Sequence, residues 1–398
     1  MDGEAIQRGR ASHRRPLVLL VGFRAGIVRA AERLGVDLAV VDRRPPSALL
    51  RPRLCAALVH EWSGPVQALV DEAQRALAGR SVAAVLALTE GAVLPAAHLR
   101  AAFGAPGSDV ETAERCSDKR AMKAAIRAAG MSCAPYAEVT ADTTAEGIVE
   151  RLGLPLVLKH PRSSGSRGQC IAHDLDAVRR ELRGRGLAEG FVRGVEMSVE
   201  GFFRDGELLF MNTTEYLVPL HASLVPSAVG PELGAELRAL LVRATEALGL
   251  RIGVTHMEVF LTDSGLVFGE LAARPPGGRL MPLMQRAYGF DPYEALLRIA
   301  LRRPVSFPSE ARLCAGSWVL HPGAGRLARV SGLEAAARVP GVRQVLVRVR
   351  EGDTILPREG SGQDIGYIDA EGADRDAVAR ALHAARAALQ FDLVPTAD

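Results

Sequence analysis

The chain has 398 residues, of which 49 are Lys or Arg and 46 are Asp or Glu. This length allows two or three domains with a large buried core. The net charge of +3 comes from scattered basic residues and is too small to indicate a nucleic-acid partner. No apolar run reaches the roughly 20 residues that span a bilayer, so no membrane segment is predicted. The basic, polar segment 1–15 lacks the apolar stretch of a secretory signal, and we interpret it as a disordered tail.

The five cysteines lie far apart and show no C-x-x-C spacing; they are Cys55, Cys116, Cys133, Cys170 and Cys314. This pattern argues against a zinc site and against a disulfide framework. Reduced thiols fit a cytoplasmic protein, and each cysteine is interpreted as an isolated thiol.

The N-terminal region begins with a strand, a helix and a second strand. Pro16–Gly22 is a short apolar run typical of a buried parallel strand, Ala25–Leu34 has helical spacing, and Val36–Val41 repeats the strand pattern. The segment Gly22–Gly26 lacks the third glycine of the dinucleotide fingerprint, so NAD is not predicted. Glu90 follows a predicted strand at its carboxyl end, where ligands bind in open parallel sheets, although an acid that begins a helix explains it equally well.

Two lysines precede or end predicted elements in the middle of the chain. Lys119 follows Asp118 at the start of a predicted helix, and Lys159 ends the predicted strand Leu154–Lys159. The next segment, Ser163–Gly168, consists of small residues and one arginine, so its backbone can approach a ligand and offer N–H groups to phosphate. It is not a P-loop, because no Gly-Lys-Ser/Thr follows, and a mobile surface loop is the alternative.

Two acids flank a predicted turn farther along. Leu187–Phe203 has the pattern of a strand, a turn at Gly194 and a second strand, with Glu189 and Glu196 on either side of the turn. His221 follows in a loop-like stretch. A lone histidine of this kind is more often a structural residue than a functional one.

The region on which the rest depends is Val254–Arg279. Its first half alternates apolar and polar residues as a strand does, its second half leads through the apolar run Leu266–Phe268 into Glu270, and the two meet at the turn Asp263-Ser264-Gly265. In such a hairpin Glu258 and Glu270 project toward one point, where their repulsion requires a cation, and oxygen ligands suit Mg²⁺ that bridges phosphates. Arg274 is placed to hold a phosphoryl oxygen. A solvated hairpin with ordinary surface acids is the alternative.

The remaining elements are two helices on either side of the hairpin and a C-terminal region of short strands, turns and a helix. Leu237–Leu248 and Pro292–Arg302 have helical spacing, and the proline-flanked segment Pro304–Pro308 marks a boundary. Beyond it, short strand patterns and a closing helix at Asp374–Leu389 predict a small α+β module. Its glycines are attributed to turns rather than to a site.

These motifs occur in one order: Asp118-Lys119, Lys159, the Ser/Gly segment, Glu189 with Glu196, then Glu258 and Glu270-x-x-x-Arg274. The ordered set resembles the ATP-grasp superfamily over about 110–305, and the tail resembles the extra C-terminal domain of the L-amino-acid ligases. The resemblance implies a mixed α/β and α+β fold. Its expected parts are a βαβ (Rossmann-like) domain at 16–110, an ATP-grasp domain of two α+β subdomains at 111–305 with a lid subdomain at about 138–200, and an α+β domain at 306–398.

The resemblance also implies how ATP is bound. Lys119 and Lys159 would contact the nucleotide phosphates. Glu189 and the backbone near Val192 would meet the adenine, and Glu196 would meet the ribose hydroxyls. A lid would cover the β- and γ-phosphates; its residues are Ser163, Ser164, Gly165, Ser166 and Gly168.

The remaining roles concern the metal and the substrates. Glu258 and Glu270 would bind Mg²⁺, for which Mn²⁺ can substitute, and Arg274 would steady the transferring γ-phosphoryl group. His221 would polarise an acyl phosphate or oxyanion, as a histidine does in the L-amino-acid ligases. Further along the substrate path, Glu90 would bind an amino group, and the loop with Gly277 and Gly278 would allow close approach. The family usually shows Glu-x-Asn-x-Arg; this chain has Ala272 at the Asn position, where a water would replace the missing ligand.

The enzyme so implied is an ATP-dependent carboxylate–amine ligase that acts through an acyl phosphate on small, amino-acid-like substrates. A chain of this size also fits a homodimer. Two alternatives stay open. A biotin-carboxylase-like enzyme would use bicarbonate, although the chain lacks the Met-Lys-Met segment of a biotin carrier. A non-catalytic ATP-binding module is the other, motivated by Ala272.

Overall fold

The structure is a computed structural model that describes residues 15–395, so all but the last residue of the predicted tail 1–15 lies outside the described residues. The N-terminal region is a four-stranded parallel sheet in the order β3-β2-β1-β4. All five residues of its central strand are buried, as the apolar run predicts. The elements are β1 (Leu17–Val21), α1 (Gly26–Leu34), β2 (Asp37–Asp42), β3 (Ala56–Val59), α2 (Val66–Ala76), β4 (Val82–Ala87) and α3 (Val93–Phe103).

A small antiparallel sheet follows, in the order β5-β8-β6-β7. The Asp118 side chain accepts a hydrogen bond from the backbone N–H of Arg120 at 2.9 Å, and this cap fixes the helix start at Lys119. The elements are α4 (Val110–Ser117), α5 (Lys119–Ala128), β5 (Tyr136–Glu138), α6 (Ala145–Leu152), β6 (Leu156–Lys159), β7 (Cys170–Ala172), α7 (Leu175–Glu181) and β8 (Leu187–Gly190).

The largest sheet is antiparallel and has eight strands, in the order β13-β12-β9-β10-β11-β14-β18-β16. Its first strands and their helices are β9 (Val195–Arg204), β10 (Glu207–Val218), β11 (Ala222–Val225), α8 (Pro231–Leu248), β12 (Gly253–Thr262), β13 (Gly265–Ala272), α9 (Leu280–Tyr288) and α10 (Pro292–Ala300). The C-terminal elements are β14 (Cys314–Leu320), β15 (Gly325–Ser331), α11 (Leu333–Ala337), β16 (Val342–Val347), β17 (Thr354–Ile355), β18 (Gly366–Gly372), α12 (Arg375–Ala388) and β19 (Gln390–Val394).

Two features of this sheet differ from the sequence expectation. The strand that begins at Val195 pairs with β12 of the large sheet, so the small sheet ends before the residue 200 expected for the lid subdomain. The C-terminal strands also continue the large sheet, because Ala222 of β11 pairs with Trp318 of β14. Backbone pairing thus crosses the boundary expected at residue 306, and the domain limits stay predictions.

The two faces of the large sheet explain where a site can lie. On β9, alternation sends Met197, Val199 and Phe203 to one face, where they pack with residues of α8 in a buried cluster. On the other face, Phe202 belongs to an aromatic cluster with Phe210, Phe290 and Phe307, in which ring centroids lie 5.0–5.9 Å apart. That apolar cluster covers one end of the second face only. Within residues 15–395, no helix is both long enough and apolar enough to cross a membrane.

Candidate functional site

The centre of the candidate site is the hairpin of β12 and β13. Glu258 and Glu270 are direct partners in its ladder, as the sequence predicts. The strands come especially close beside them, since a Cβ added at Gly269 would lie 2.9 Å from the carbonyl oxygen of Glu258. On the neighbouring β9, Ser198 lies opposite Glu258. Glu196, two residues from Ser198, therefore shares the face of the sheet that carries the hairpin acids.

A buried polar network lies beside these acids and is centred on Glu200, which has no exposed surface. The Glu200 carboxylate accepts hydrogen bonds from Ser198 Oγ at 2.7 Å, Asn212 Nδ2 at 2.6 Å and Thr214 Oγ1 at 2.8 Å. His256 Nδ1 lies 2.9 Å from the same carboxylate, and His256 Nε2 lies 3.7 Å from Glu258. Burial lowers the pKa of His256, but hydrogen bonds with the two acids outweigh it and raise the pKa to about 9. The network fixes the ring beside Glu258.

Three lysines offset the charge of Glu270 and Glu189. Lys119 Nζ lies 3.2 Å from Glu270 Oε2. Glu189 is nearly buried and faces two ammonium groups, with Lys159 Nζ at 3.0 Å and Lys123 Nζ at 3.3 Å. The sequence predicts four of these residues as site residues, namely Lys119, Lys159, Glu189 and Glu270. The structure brings these four together and adds Lys123, which the sequence analysis did not predict.

The acids of the site differ in how easily they ionise. Burial, and then the charge of Glu258, raises the pKa of Glu196 to about 7. Burial acts in the same direction on Glu270, yet Lys119 and Lys159 outweigh it and hold the pKa of Glu270 below its ordinary value. The lysines therefore favour the ionised form of Glu270, and a cation bound beside Glu258 and Glu196 would favour the ionised form of Glu196.

The predicted lid is the segment between β6 and β7. Its ends are held by basic side chains: Lys119 donates to the carbonyl oxygen of Ser163, and Arg185 donates to that of Gly168. Its tip is held by the C-terminal region. The backbone N–H of Ser361 donates to Gly165 O at 2.9 Å, and Arg167 Nη2 donates to Ser361 O at 3.3 Å.

The contact at the tip leaves no room for a side chain. A Cβ added at Gly360 would strike the carbonyl oxygen of Gly165 and come 2.6 Å from Arg167 Cγ. Ser164 is half-buried and Ser166 is exposed, with a positive φ of 61°. The predicted lid residues therefore form one loop, closed against residues 358–363.

The residues predicted to meet the base and ribose lie along one connection. Glu189 is in β8, Glu196 is in β9, and Val192 lies between the two strands and is half-buried. Because β8 belongs to the small sheet and β9 to the large one, this connection is the place where the two sheets meet.

Glu90 and Arg274 are direct partners, with Arg274 Nε donating to Glu90 Oε2 at 2.7 Å. Arg24, which follows β1, donates to Leu88 O at 2.8 Å and to Pro276 O at 2.8 Å. The N-terminal sheet therefore places Glu90 beside Arg274, which follows the last strand of the hairpin. Sequence reasoning found both members of the ion pair but did not predict that they meet.

His221 lies at the turn between β10 and β11 and faces the C-terminal region. Both of its ring nitrogens are 3.1 Å from Arg358 Nη1, and Arg358 Nη2 donates to Leu220 O at 2.6 Å. Burial, followed by the charge of Arg358, lowers the pKa of His221. Among the hydrogen bonds of the described residues, those of the His221 ring go to Arg358 and not to Glu258 or Glu270.

The loop after the hairpin has room for a ligand. Gly277 and Gly278 are exposed, and a Cβ added at either would meet no atom within 4 Å. Ala272 is nearly buried at the end of β13 and carries no oxygen with which to bind a metal.

Three further groups in or beside the site were not predicted: Lys123, the Glu200 network and Arg24. A signal existed for the first two. Lys123 follows Lys119 by four residues, which is one helical turn, and Glu200 follows Glu196 by four residues in a strand and so shares its face. Arg24 had no signal in the sequence, because its partners lie 64 and 252 residues away.

Comparison with known proteins gives two family matches. A model of the ATP-grasp domain matches residues 124–278, and a model of the L-amino acid ligase C-terminal domain 2 matches residues 317–394. The first covers the hairpin acids and Lys159; the second covers β15 to β19 and most of β14.

Comparison with individual proteins gives relatives of the same kind. The L-arginine-specific L-amino acid ligase of Bacillus subtilis is 26% identical over 307 residues, 71% of this chain and 74% of that protein. The D-alanine–D-alanine ligase A of Escherichia coli (strain K12) is 28% identical over 229 residues, 50% of this chain and 62% of that protein. The crystal structure of an L-amino acid ligase from Bacillus licheniformis has the same fold, with a TM-score of 0.82 at 20% identity over 96% of this chain and 99% of that chain. The chain therefore contains a region that matches the ATP-grasp domain and a region that matches the C-terminal domain 2 of the L-amino acid ligases.

Proposed function

We propose that the chain is an ATP-dependent ligase that joins a carboxylic acid to an amine and releases ADP and phosphate. The ATP-grasp match and the relatives that are amino-acid ligases support this class of reaction. The observation that carries it is the pairing of Glu258 with Glu270 beside Lys119 and Lys159. Carboxylates for a cation and ammonium groups for phosphates meet there in one site.

The two acids fit a magnesium ion that is shared with the nucleotide. In the described part of the chain, residues 15–395, no group of three or more His, Cys, Asp or Glu side chains forms a complete metal cage. Mg²⁺ usually keeps several waters and binds one or two carboxylates together with substrate phosphates, so Glu258 and Glu270 are a sufficient protein contribution. When bound, the ion, or Mn²⁺ in its place, would neutralise phosphate charge.

The chemistry has two steps. A carboxylate oxygen of the first substrate attacks the γ-phosphorus of ATP, so that an acyl phosphate forms and ADP leaves. The amine of the second substrate then attacks the acyl carbon, and phosphate leaves as the amide forms. Neither step needs a nucleophile from the protein, because the carboxylate and the amine of the two substrates are the nucleophiles.

The side chains of this chain position the reactants and balance their charge. Lys119 and Lys159 hold the nucleotide phosphates, and Arg274 steadies the transferring γ-phosphoryl group. The lid formed by Ser163–Gly168 keeps water away from the acyl phosphate, which water would otherwise hydrolyse. His221 polarises the acyl group, with its ring held by Arg358.

Adenine and substrate contacts complete the proposed assignment. Glu189 and the backbone at Val192 receive the adenine, and Glu196 receives the ribose. Glu90 binds an amino group of the first substrate, and the open loop at Gly277 and Gly278 admits the second. We infer that both substrates resemble amino acids, that the enzyme works in the cytoplasm and that it forms a homodimer.

A screen of ADP release tests the function. The purified chain is incubated with ATP, Mg²⁺ and pairs of amino acids, ADP is measured enzymatically, and products are identified by mass spectrometry. Amine-dependent ADP release with a product of the combined mass, less one water, is the expected result. Release that requires bicarbonate and biotin would instead identify a carboxylase, and nucleotide binding without turnover on any pair would identify a binding module.

Glu270→Gln separates the metal assignment from the fold. We expect amine-dependent ADP release to fall by about 10³-fold, because a lost metal ligand costs several kcal/mol of transition-state stabilisation. Glu207→Gln, which alters an exposed acid at the start of β10, is the matched control and keeps its activity. Undiminished turnover in Glu270→Gln, with an unchanged melting temperature, would contradict the assignment.

A further inference from the structure

The chain contains three lysines among its 49 Lys and Arg residues, and they are Lys119, Lys123 and Lys159. All three lie in the candidate site, where one faces Glu270 and two face Glu189. Elsewhere in the described residues, the ion pairs made by cationic residues other than histidine use arginine. An ammonium is a compact point charge, whereas a guanidinium is a wide planar fork. The three compact cations of this chain therefore all lie in the candidate site, and Lys123 is one of them.

Lys123 is the most buried of the three, with 2% of its surface exposed. Its Nζ lies 3.3 Å from Glu189 Oε1 and 3.5 Å from the carbonyl oxygen of Gly269. It thus connects α5 with β8 of the small sheet and with β13 of the catalytic hairpin. The cost of burying a lysine is high unless the charge is paired, so its pairing with Glu189 is a required feature of this junction.

The second partner of Glu189 is Lys159, to which the proposed function also assigns the nucleotide phosphates. Lys159 Nζ lies 3.0 Å from Glu189 Oε2, and more of its side chain is exposed than that of Lys123. If Lys159 turns toward a nucleotide phosphate, Glu189 loses one of its two cations. A carboxylate with 4% exposure would then be left uncompensated, which opposes nucleotide binding unless another charge stays behind.

We propose that Lys123 is a positioning residue that keeps Glu189 charge-balanced and in place while Lys159 serves the nucleotide phosphates. The inference rests on the proposed function, because it requires ATP in the site. Lys123 itself touches neither substrate nor metal. Its contribution is to lower the cost of transferring Lys159 from Glu189 to ATP.

Lys123→Met tests this division of labour. The Kd for ATP in the presence of Mg²⁺, measured by calorimetry, should rise by about 10- to 100-fold, because Lys159 then stays with Glu189. The KM for ATP should rise by a similar factor, while kcat at saturating ATP changes less. Lys123→Arg keeps the charge but not the size, and a similar loss is expected from it because the site is buried.

A double-mutant cycle with Glu189→Gln isolates the mechanism. In the Glu189→Gln background the carboxylate is gone, so the effect of Lys123→Met on ATP affinity should shrink to about twofold or less. The double variant removes one positive and one negative charge, so the net charge of the junction stays as in the wild type, and it supplies folded protein if the single variant does not fold. Gly234→Ala is a control for the preparation and assay of a variant protein, since its added methyl meets no atom within 4 Å.

The outcomes separate the two proposals. Equal losses of ATP affinity from Lys123→Met in both backgrounds, or a lowered melting temperature with unchanged ATP affinity, would overturn the role of Lys123 and leave the ligase function standing. A wild-type protein whose melting temperature does not respond to ATP and Mg²⁺ would contradict the proposed function, and this inference would fall with it.

Discussion

The two sides of the site are held in different ways. Glu258 and Glu270 are fixed by sheet register on β12 and β13, and β9 pairs along the whole of β12's first nine residues. The lid opposite them is a loop whose tip is held by hydrogen bonds between Gly165, Arg167 and Ser361. One side is therefore part of a continuous ladder, and the other depends on a contact with a distant segment.

This difference corresponds to two requirements of the proposed reaction. Metal ligands must stay within a fraction of an ångström of their positions, and a ladder buried on one face gives that precision. A lid must open for ATP and close for chemistry, so its contacts must be few enough to break. In the proposed reaction the C-terminal region would take part in closure of the predicted lid, because Ser361, which contacts the tip of that loop, belongs to it.

Lys159→Met removes the cation that ends β6 and pairs with Glu189. We expect kcat/KM for ATP to fall by about 10²- to 10³-fold, the usual cost of losing one preorganised group that stabilises phosphoryl charge. Steady-state kinetics with varied ATP measures this. Arg326→Met, which removes an exposed cation on β15, serves as the comparison. A loss of less than about threefold would show that Lys159 stays with Glu189 throughout the cycle.

Gly360→Ala breaks the contact of the lid without altering a predicted binding residue. The added methyl would strike Gly165 O and Arg167 Cγ, so the lid should close incompletely. We expect amide formation to fall by about tenfold and ADP release per amide to rise, because water reaches the acyl phosphate. Faster tryptic cleavage after Arg162 and Arg167 should accompany this. If the ratio of ADP to amide stays at the wild-type value, the contact has no role in closure.

Ala272→Asn tests the metal site of the hairpin. It restores the side chain that the superfamily usually has at this position. Its amide oxygen could replace one water on the metal. The concentration of Mg²⁺ that gives half-maximal activity should fall by about two- to fivefold. Titration of activity with Mg²⁺ at saturating ATP measures it. Because Ala272 is nearly buried, a melting curve must show that the larger side chain is accommodated.

Arg358→Met has the smallest expected effect and concerns the pH dependence. His221 is faced by Arg358, His321 and Arg386, and burial together with these charges lowers the pKa of its imidazole. Removing Arg358 removes one positive charge, so the pKa should rise toward its ordinary value. If the reaction uses neutral His221, the acid limb of the kcat profile should then move to higher pH by less than about one unit. An unshifted limb would exclude His221 as the group that titrates.

The hairpin was predicted from the local sequence pattern. Alternation and one turn were enough to predict that Glu258 and Glu270 meet, because side chains two residues apart share a face of a strand. The fold class and the resemblance to ATP-grasp proteins and L-amino-acid ligases were also predicted from the sequence, and both are confirmed. The assignments of individual site residues stay predictions until the variants are measured.

Other parts of the site could not be found in this way. Arg24 reaches Pro276 across 252 residues, and Ser361 reaches Gly165 across nearly half of the chain. No local spacing encodes such contacts, because they depend on how the sheets pack against one another. The same holds for the eight-stranded sheet, which joins strands on both sides of the expected domain boundary.

The sequence by itself therefore determined the elements and the residue types placed at the candidate site: the acids of the hairpin, Lys119 and Lys159, and the small residues of the predicted lid. Periodicity, caps and turn residues act over a few positions, and this is why they could be interpreted without coordinates. The tertiary structure decided which charges become partners, that Lys123 shares Glu189 with Lys159, and that the C-terminal region receives the lid. Those outcomes depend on burial and distance, which exist only once the sheets have packed.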